Sequence, residues 1–357
     1  MTGWKSHFLK KLLLFTVLLA SLALGGCSSA EAQKYIESAA DQAAPPALGG
    51  QAASAAWDYA KEAVKGQLND LGNSMGNGGS TGSSQNTSDV TPSTGTLKVH
   101  FIDVGQGDSI LIQDGSHSML IDAGENNQGK TVTAYLNRQG ISSLDYVIGT
   151  HPHSDHIGGL DDVLRSFEVK NVILPPVEHT TATFEDVLDA VADKGLTITK
   201  PVPGDTYELG QSHFTILGPA GNYGDELNDW SVGIRLTDGN HSFVMCGDAE
   251  QEAEQDMVNS GLTLSADVLK AGHHGSRTSS SPDFLKAVSP SWAVISCGKG
   301  NSYGHPHKET LEKYSKAGIQ VLRTDELGTI IASSSPEALS WSHADASGKE
   351  KPIDLAQ

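Results

Sequence analysis

Four metal-competent side chains fall within six residues in Thr150-His151-Pro152-His153-Ser154-Asp155-His156-Ile157-Gly158-Gly159. Burying three imidazoles and a carboxylate with nothing to compensate them is costly, so a purely structural role accounts poorly for the cluster. Neutral imidazoles suit Zn2+, and a carboxylate adds charge for a second cation. His151 and His153, at alternate positions of an extended turn, can point to one metal. Asp155 and His156, at the entrance of the following helix, can serve its neighbour. Two divalent ions about 3.5–4 Å apart bring a shared water to a pKa near 7, so this chemistry is hydrolysis by hydroxide at neutral pH.

Such a cluster needs a rigid platform. The apolar run Tyr146–Gly149 reads as the strand that delivers it. Upstream, Leu97–Val104, Ser109–Gln113 and Ser118–Ile121 read as a β-meander. Helical segments at 129–139, 158–167 and 183–193 then alternate with strands at Tyr146–Gly149 and Val172–Leu174. Phe214–Leu217, Ser231–Leu236 and Ser242–Cys246 form a second β-rich stretch, with a hairpin turn at Asp238-Gly239-Asn240. Helices at 249–259, 282–288 and 307–317 follow, interleaved with strands at Asp267–Lys270, Ala293–Ser296, 320–322 and 328–332. Two β-rich stretches, each followed by helices, predict an α/β fold of two packed mixed sheets with helices on both outer faces. A single doubly wound sheet is disfavoured by the opening meander and the lack of a Gly-rich phosphate loop.

The H-x-H-x-D-H pattern resembles the hallmark of the metallo-β-lactamase superfamily. Phe101-Ile102-Asp103-Val104-Gly105-Gln106-Gly107-Asp108-Ser109 and Leu120-Ile121-Asp122-Ala123-Gly124 are similar to the opening of the ComEC-type competence hydrolase domain. So are Asn228-Asp229-Trp230-Ser231, Cys246-Gly247-Asp248-Ala249-Glu250, His273-His274-Gly275-Ser276 and Asn301-Ser302-Tyr303-Gly304-His305-Pro306, in the family order. The resemblance implies an αββα sandwich with a dinuclear site on one edge. It implies that Asp248 bridges both metals, that His273 (or its neighbour His274) completes the second site, and that Asp122 supports the histidine loop. The superfamily's third histidine motif has no counterpart; Asn228-Asp229 stands in its place, which makes Asp229 a further candidate ligand. His153 also departs from many ComEC-type members, which have Asp there, and is closer to the choline-phosphate esterases of teichoic acid.

Around that core, Asp155 and His305 are the candidate catalytic groups, His305 as a donor to a phosphoryl oxygen or leaving group. Lys270 and Arg277 could neutralise phosphate. Asp103, Gln106 and Asp108 read as loop-shaping, and His307 as a helix-cap residue. His100, His117, His179, His213, His241 and His343 lie outside any cluster. Cys246 and Cys297 sit in apolar runs and read as buried free thiols.

The rest of the chain predicts where the domain works. Lys5, Lys10 and Lys11 precede the uncharged run Leu12–Leu24, too short to span a bilayer and apt for a signal peptide over 1–26. Leu24-Gly25-Gly26-Cys27 resembles a bacterial lipobox, implying lipidation at Cys27 and an extracytoplasmic, membrane-anchored protein. Trp57, Ala60, Val64, Leu68 and Leu71 recur at helical spacing, and Gly72–Gly95 reads as a flexible linker spanning roughly 25–30 Å. The hydrolase domain is expected over 96–341, with a polar tail at 342–357. ComEC itself carries the domain on a multispanning channel, whereas no membrane helix beyond the leader is expected here.

The net charge is −19 for the chain, and residues 96–341 hold 16 Lys and Arg against 33 Asp and Glu. That balance argues against loose, counterion-driven binding to DNA but leaves room for a local basic groove. The leading expectation is a phosphodiesterase or nuclease carrying two Zn2+ or Mn2+ ions, acting on DNA or a cell-wall polymer. The alternatives are a choline-phosphate or teichoic-acid esterase, a β-lactam or lactone hydrolase, and a non-catalytic metal-containing binding protein.

Overall fold

The computed structural model describes residues 97–345 and 348–354. Strands β1 (Leu97–Phe101), β2 (Ile110–Asp114) and β3 (His117–Ile121) form an antiparallel meander, β1 with β2 and β2 with β3. Their two-residue period splits the apolar side chains between two faces. Ile110, Ile112, Met119 and Ile121 point into one core, whereas Leu111 and Leu120 point into another. The chain then forms α1 (Gly129–Arg138), β4 (Ser143–Ile148), α2 (Ser154–Ile157), α3 (Leu160–Ser166), β5 (Glu168–Ile173), α4 (Ala182–Asp193) and β6 (Ile198–Thr199). β3 to β6 pair in parallel, as strands joined through helical crossovers do.

The second half repeats this plan. β7 (Thr206–Leu209), β8 (Ser212–Gly218), β9 (Gly233–Asp238) and β10 (His241–Met245) are antiparallel. α5 (Gln251–Asn259), β11 (Val268–Lys270), α6 (Pro282–Val288), β12 (Trp292–Ile295), α7 (Lys308–Ala317) and β13 (Gln320–Arg323) follow, with β10 to β13 parallel. The chain then passes α8 (Thr324–Leu327) and returns to the first sheet through β14 (Thr329–Ser334), which pairs with β1. With β15 (Leu339–Ala344) and β16 (Glu350–Pro352) added beyond β14, the sheets are a nine-stranded one, β16-β15-β14-β1-β2-β3-β4-β5-β6, and a seven-stranded one, β13-β12-β11-β10-β9-β8-β7.

Three apolar cores glue these layers. Between the sheets, Phe101, Ile112 and Met119 meet Phe214, Leu236 and Phe243. Val132, Leu136, Leu160, Leu164 and Val187 cover the outer face of the nine-stranded sheet, and Met257, Phe284, Leu285 and Tyr314 cover that of the other. This is the expected αββα arrangement, and both sheets are mixed.

Several boundaries move. The expected polar tail from 342 is incorrect: β15 (Leu339–Ala344) runs through that boundary and β16 (Glu350–Pro352) pairs with it. Trp341 and Ala344 are buried, which is why the strand continues. Residues 158–167 give α3 preceded by the separate turn α2, and the expected strand at Ser231 begins only at Gly233. Cys246 and Cys297 are buried free thiols. The leader, Cys27, the helix at 57–71 and the linker lie outside the described residues. Among the described residues, no helix is long and apolar enough to cross a membrane.

Candidate metal centre

The cluster leaves β4 at Ile148 and occupies the turn into α2. One buried carboxylate organises it. Asp122, just past β3 and itself at a positive φ of 57°, accepts hydrogen bonds from Thr150 N (2.8 Å) and Thr150 Oγ1 (2.7 Å). Its Oδ2 also lies 2.8 Å from His156 Nδ1. That bond fixes the His156 ring and turns Nε2 inward, the supporting duty that carboxylates perform behind metal-binding histidines. Loop 103–109 presses on the cluster from outside. A Cβ on Gly107 would fall 2.2 Å from the carbonyl oxygen of Asp155, and φ there is +129°, so only glycine fits.

The second sheet delivers the remaining donors from two adjacent strand ends. Asp248 follows β10 after Gly247, whose φ of +51° and contact with Thr150 again require glycine. His273 and His274 follow β11 and both adopt left-handed backbone, φ 47° and 53°. Consecutive non-glycine residues in that region store strain of about 1–3 kcal/mol each, tolerable where the surroundings hold them.

Asp155, His156, Asp248 and His274 converge. His156 Nε2 lies 3.1 Å from Asp248 Oδ1 and 3.3 Å from His274 Nε2, which lies 3.2 Å from Asp155 Oδ2 and 3.4 Å from Asp248 Oδ2. Ligand atoms about 2.0–2.1 Å from one tetrahedral ion lie roughly 3.4 Å apart, so the spacing fits. The expectation that His273 fills this second set is corrected: His274 does, because Ser296 O (3.1 Å) and Asp108 Oδ1 (3.3 Å) hold its Nδ1 and leave Nε2 facing Asp248. His151 Nε2 and His153 Nδ1 lie 3.0 Å apart beside it, and His151 Nε2 is 4.0 Å from Asp248 Oδ2. His273 Nε2 is 3.6 Å from that same oxygen.

The electrostatics match a cation site. Burial opposes the charge on His156 and His274, but Asp248 with Asp155 and Asp122, and Asp248 with Asp108, push both imidazoles well above their ordinary value. Burial likewise opposes ionisation of Asp248 and Asp155, and the His156 and His274 charges outweigh it. Burial and the His156 charge hold His151 well below its ordinary value. The carboxylates thus demand positive charge, which protons supply where a metal does not. Asp248 Oδ1 is buried and accepts no hydrogen bond, and the mixed imidazole–carboxylate donors suit divalent ions.

Other expected residues fall elsewhere. Asp229 is not among these donors: its buried carboxylate accepts from Glu250 N (2.7 Å) at the start of α5, satisfying a free helix-terminal donor. Lys270 cannot neutralise phosphate, because it is buried and pairs with Asp108 at 2.8 Å. Arg277 is exposed and donates its backbone N to His307 Nδ1; His307 starts α7. Gln106 Oε1 accepts from Gly298 N, and Asp103 Oδ1 from Gly105 N. His305 borders the site, its ring 5.4 Å from His273 and stacked on exposed Tyr303. Burial and the neighbouring histidines bring its pKa down to about 4, so it is a neutral imidazole, and its Nδ1 is buried without a partner.

Sequence reasoning overlooked the supports. Ser231 Oγ accepts from Asp248 N and lies 3.3 Å from His151 Nδ1, and Glu250 Oε1 lies 2.9 Å from His273 Nδ1. Ser231 closes the motif Asn228-Asp229-Trp230-Ser231 and Glu250 closes Cys246-Gly247-Asp248-Ala249-Glu250, each two residues past an acid.

Residues 102–299 match the metallo-beta-lactamase superfamily. ComE operon protein 3 of Bacillus subtilis is 34% identical over 253 residues, covering 65% of this chain and 32% of that protein. Competence protein ComA of Neisseria gonorrhoeae is 30% identical over 242 residues, covering 64% of this chain and 31% of that protein. The chain thus spans about a third of the length of these relatives. Among solved structures, the metallo-beta-lactamase fold protein YhfI of Bacillus subtilis aligns at TM-score 0.48 and 16% identity, over 67% of this chain and all of that one. Matched across more than half its length, the chain belongs to the metallo-β-lactamase superfamily of metal-dependent hydrolases.

Proposed function

We propose that this domain is a two-metal phosphodiesterase with DNA as its first substrate class, working outside the cytoplasmic membrane on a lipid anchor at Cys27. The observation that carries the reading is the sharing of Asp248 between two groups of donors, His151 with His153 and Asp155 with His156 and His274. Zn2+ or Mn2+ ions held there supply a nucleophile at neutral pH and neutralise charge on a transferring phosphoryl group. Asp155, His153 and His273 keep partial exposure and mark the open side of the site. Asp155 orients the attacking water from that side. His305, neutral at pH 7, offers its N–H to a phosphoryl or leaving oxygen. The resemblance to ComEC-type domains supports DNA, and the leader and lipobox pattern supports the location.

A choline-phosphate or teichoic-acid ester is the second reading, favoured by the excess of 33 acidic over 16 basic residues in 96–341. The metal-loaded full chain is assayed on single-stranded DNA, a bis-aryl phosphodiester and a choline-phosphate ester. Cleavage of DNA and the aryl diester, abolished by chelation and by Asp248→Ala, is expected; cleavage of the choline ester alone selects the second reading. Activity that survives complete metal removal sinks the mechanism. Fractionation of the producing bacterium tests the location: loss of membrane association in Cys27→Ala is expected, and a cytosolic wild-type protein refutes it.

A further inference from the structure

We infer that His273, oriented by Glu250, is the third imidazole of the first metal site, in the place left vacant by the family's missing histidine. The inference rests on the two-metal reading above. His151 Nε2 and His153 Nδ1 converge at 3.0 Å, which gives that site two nitrogens and the oxygen of Asp248. A tetrahedral ion needs a fourth donor. The segment that carries it elsewhere in the superfamily offers Asn228 and Asp229 here, and Asp229 is turned away onto the backbone of Glu250.

His273 has the required geometry. Its Nε2 lies 3.6 Å from Asp248 Oδ2, the oxygen that His151 Nε2 faces at 4.0 Å. Both distances are near the roughly 3.4 Å that separates ligands of one tetrahedral ion. Its Nδ1 donates to Glu250 Oε1 at 2.9 Å, which turns Nε2 toward the Asp248 carboxylate. A divalent ion between these two atoms would take a ligand from each. Glu250 is itself held by Thr278 Oγ1 (2.9 Å) and Asn228 Nδ2 (3.2 Å), so Glu250 is a positioning residue. The left-handed backbone at His273 and His274 sends adjacent imidazoles to different ions.

The test is metal content and chelator-competition affinity of the full chain, with Co2+ absorption as a report on coordination. His273→Asn is chosen because asparagine tolerates left-handed backbone. Wild type is expected to hold two ions. His273→Asn keeps one tightly and binds the other at least tenfold more weakly, with a changed Co2+ spectrum. Glu250→Gln weakens that same ion by about 10–100-fold, the usual loss for such a support, and covers the case in which His273→Asn fails to fold. His274→Asn loses the opposite ion. Two ions of wild-type affinity in His273→Asn, or in a folded Glu250→Gln, overturn the inference and leave the two-metal reading intact. A wild-type chain that takes up fewer than two ions overturns that reading itself.

Discussion

On the first sheet, a single buried carboxylate holds a whole loop: Asp122 takes three short contacts from Thr150 and His156 and fixes a cluster contiguous in the chain. On the second sheet the same task is divided. Asp248 leaves β10 through a glycine turn, His274 is held by Ser296 and by the Asp108–Lys270 pair, and His273 is held by Glu250. There, two consecutive left-handed residues bring the side chains inward. A hydrogen-bonded loop is inexpensive to build, whereas strained backbone persists only while its neighbours enforce it. The first half should therefore be robust as a scaffold, and the second should be the half whose supports matter most to stability.

Removing the shared ligand is expected to erase the distinction altogether. Asp248→Ala takes a donor from both groups, and hydrolysis should fall by at least about 10³-fold, or about 4 kcal/mol of transition-state stabilisation. Metal analysis should show fewer than two ions. Retention of two ions with normal turnover would mean that the halves do not share a carboxylate.

Cutting the support of the second half comes next. Lys270→Met leaves Asp108 buried without its ammonium partner, 2.8 Å away in the native protein. Breaking a buried pair by removing one partner costs about 3–5 kcal/mol. Urea unfolding of the metal-free protein measures it, and a loss below about 1 kcal/mol would show that Asp108 is satisfied without Lys270.

A milder cut tests the first half. Asp122→Asn keeps an acceptor for Thr150 N but loses the charge that orients His156. Metal affinity should drop by about 10–100-fold, read by chelator competition. Asp108→Asn should cost less, because Ser296 O still accepts from His274 Nδ1. The reverse order would contradict the contrast between one organising carboxylate and several shared supports.

The same contrast explains what could be read from the chain. His151 to His156 stand side by side after an apolar strand, so local spacing displays both the ligands and the element that carries them. Asp248 and the His273-His274 pair are separated by α5 and a strand, and only the family resemblance connects them with the first cluster. Which histidine meets which donor depends on φ at 273 and 274, and no spacing rule encodes that. Lys270 read as a charge available to phosphate because its buried partner, Asp108, lies 162 positions away in the chain. Layer order was legible from the alternation of apolar residues. β15 and β16 were not, since Ser340, Ser342 and His343 are polar and the strand is held by pairing with β14.

The smallest expected effect concerns pH, and it probes the second half away from the metal ligands. Glu254 in α5 is buried and accepts from Ser280 N (2.6 Å) and Ser281 N (2.7 Å), pinning the turn before α6, where Ser280 has a positive φ of 57°. Burial raises its pKa from 4.5 to about 6, against the pull of those hydrogen bonds and of Lys313. A carboxylate whose folded pKa is raised binds its proton more tightly in the native state. The stability this confers is therefore complete below about 4.5 and is lost as pH rises through about 6. At about 1.4 kcal/mol per pH unit, the loss is about 2 kcal/mol. Unfolding free energies of metal-free wild type and Glu254→Gln, measured from pH 4.5 to 7, should separate as pH rises, the wild type falling relative to the variant, because only the wild type ionises at this position. Profiles that stay parallel would show that the turn following the paired histidines does not depend on a protonated Glu254, and that the second half is less demanding of its supports than its strained backbone indicates.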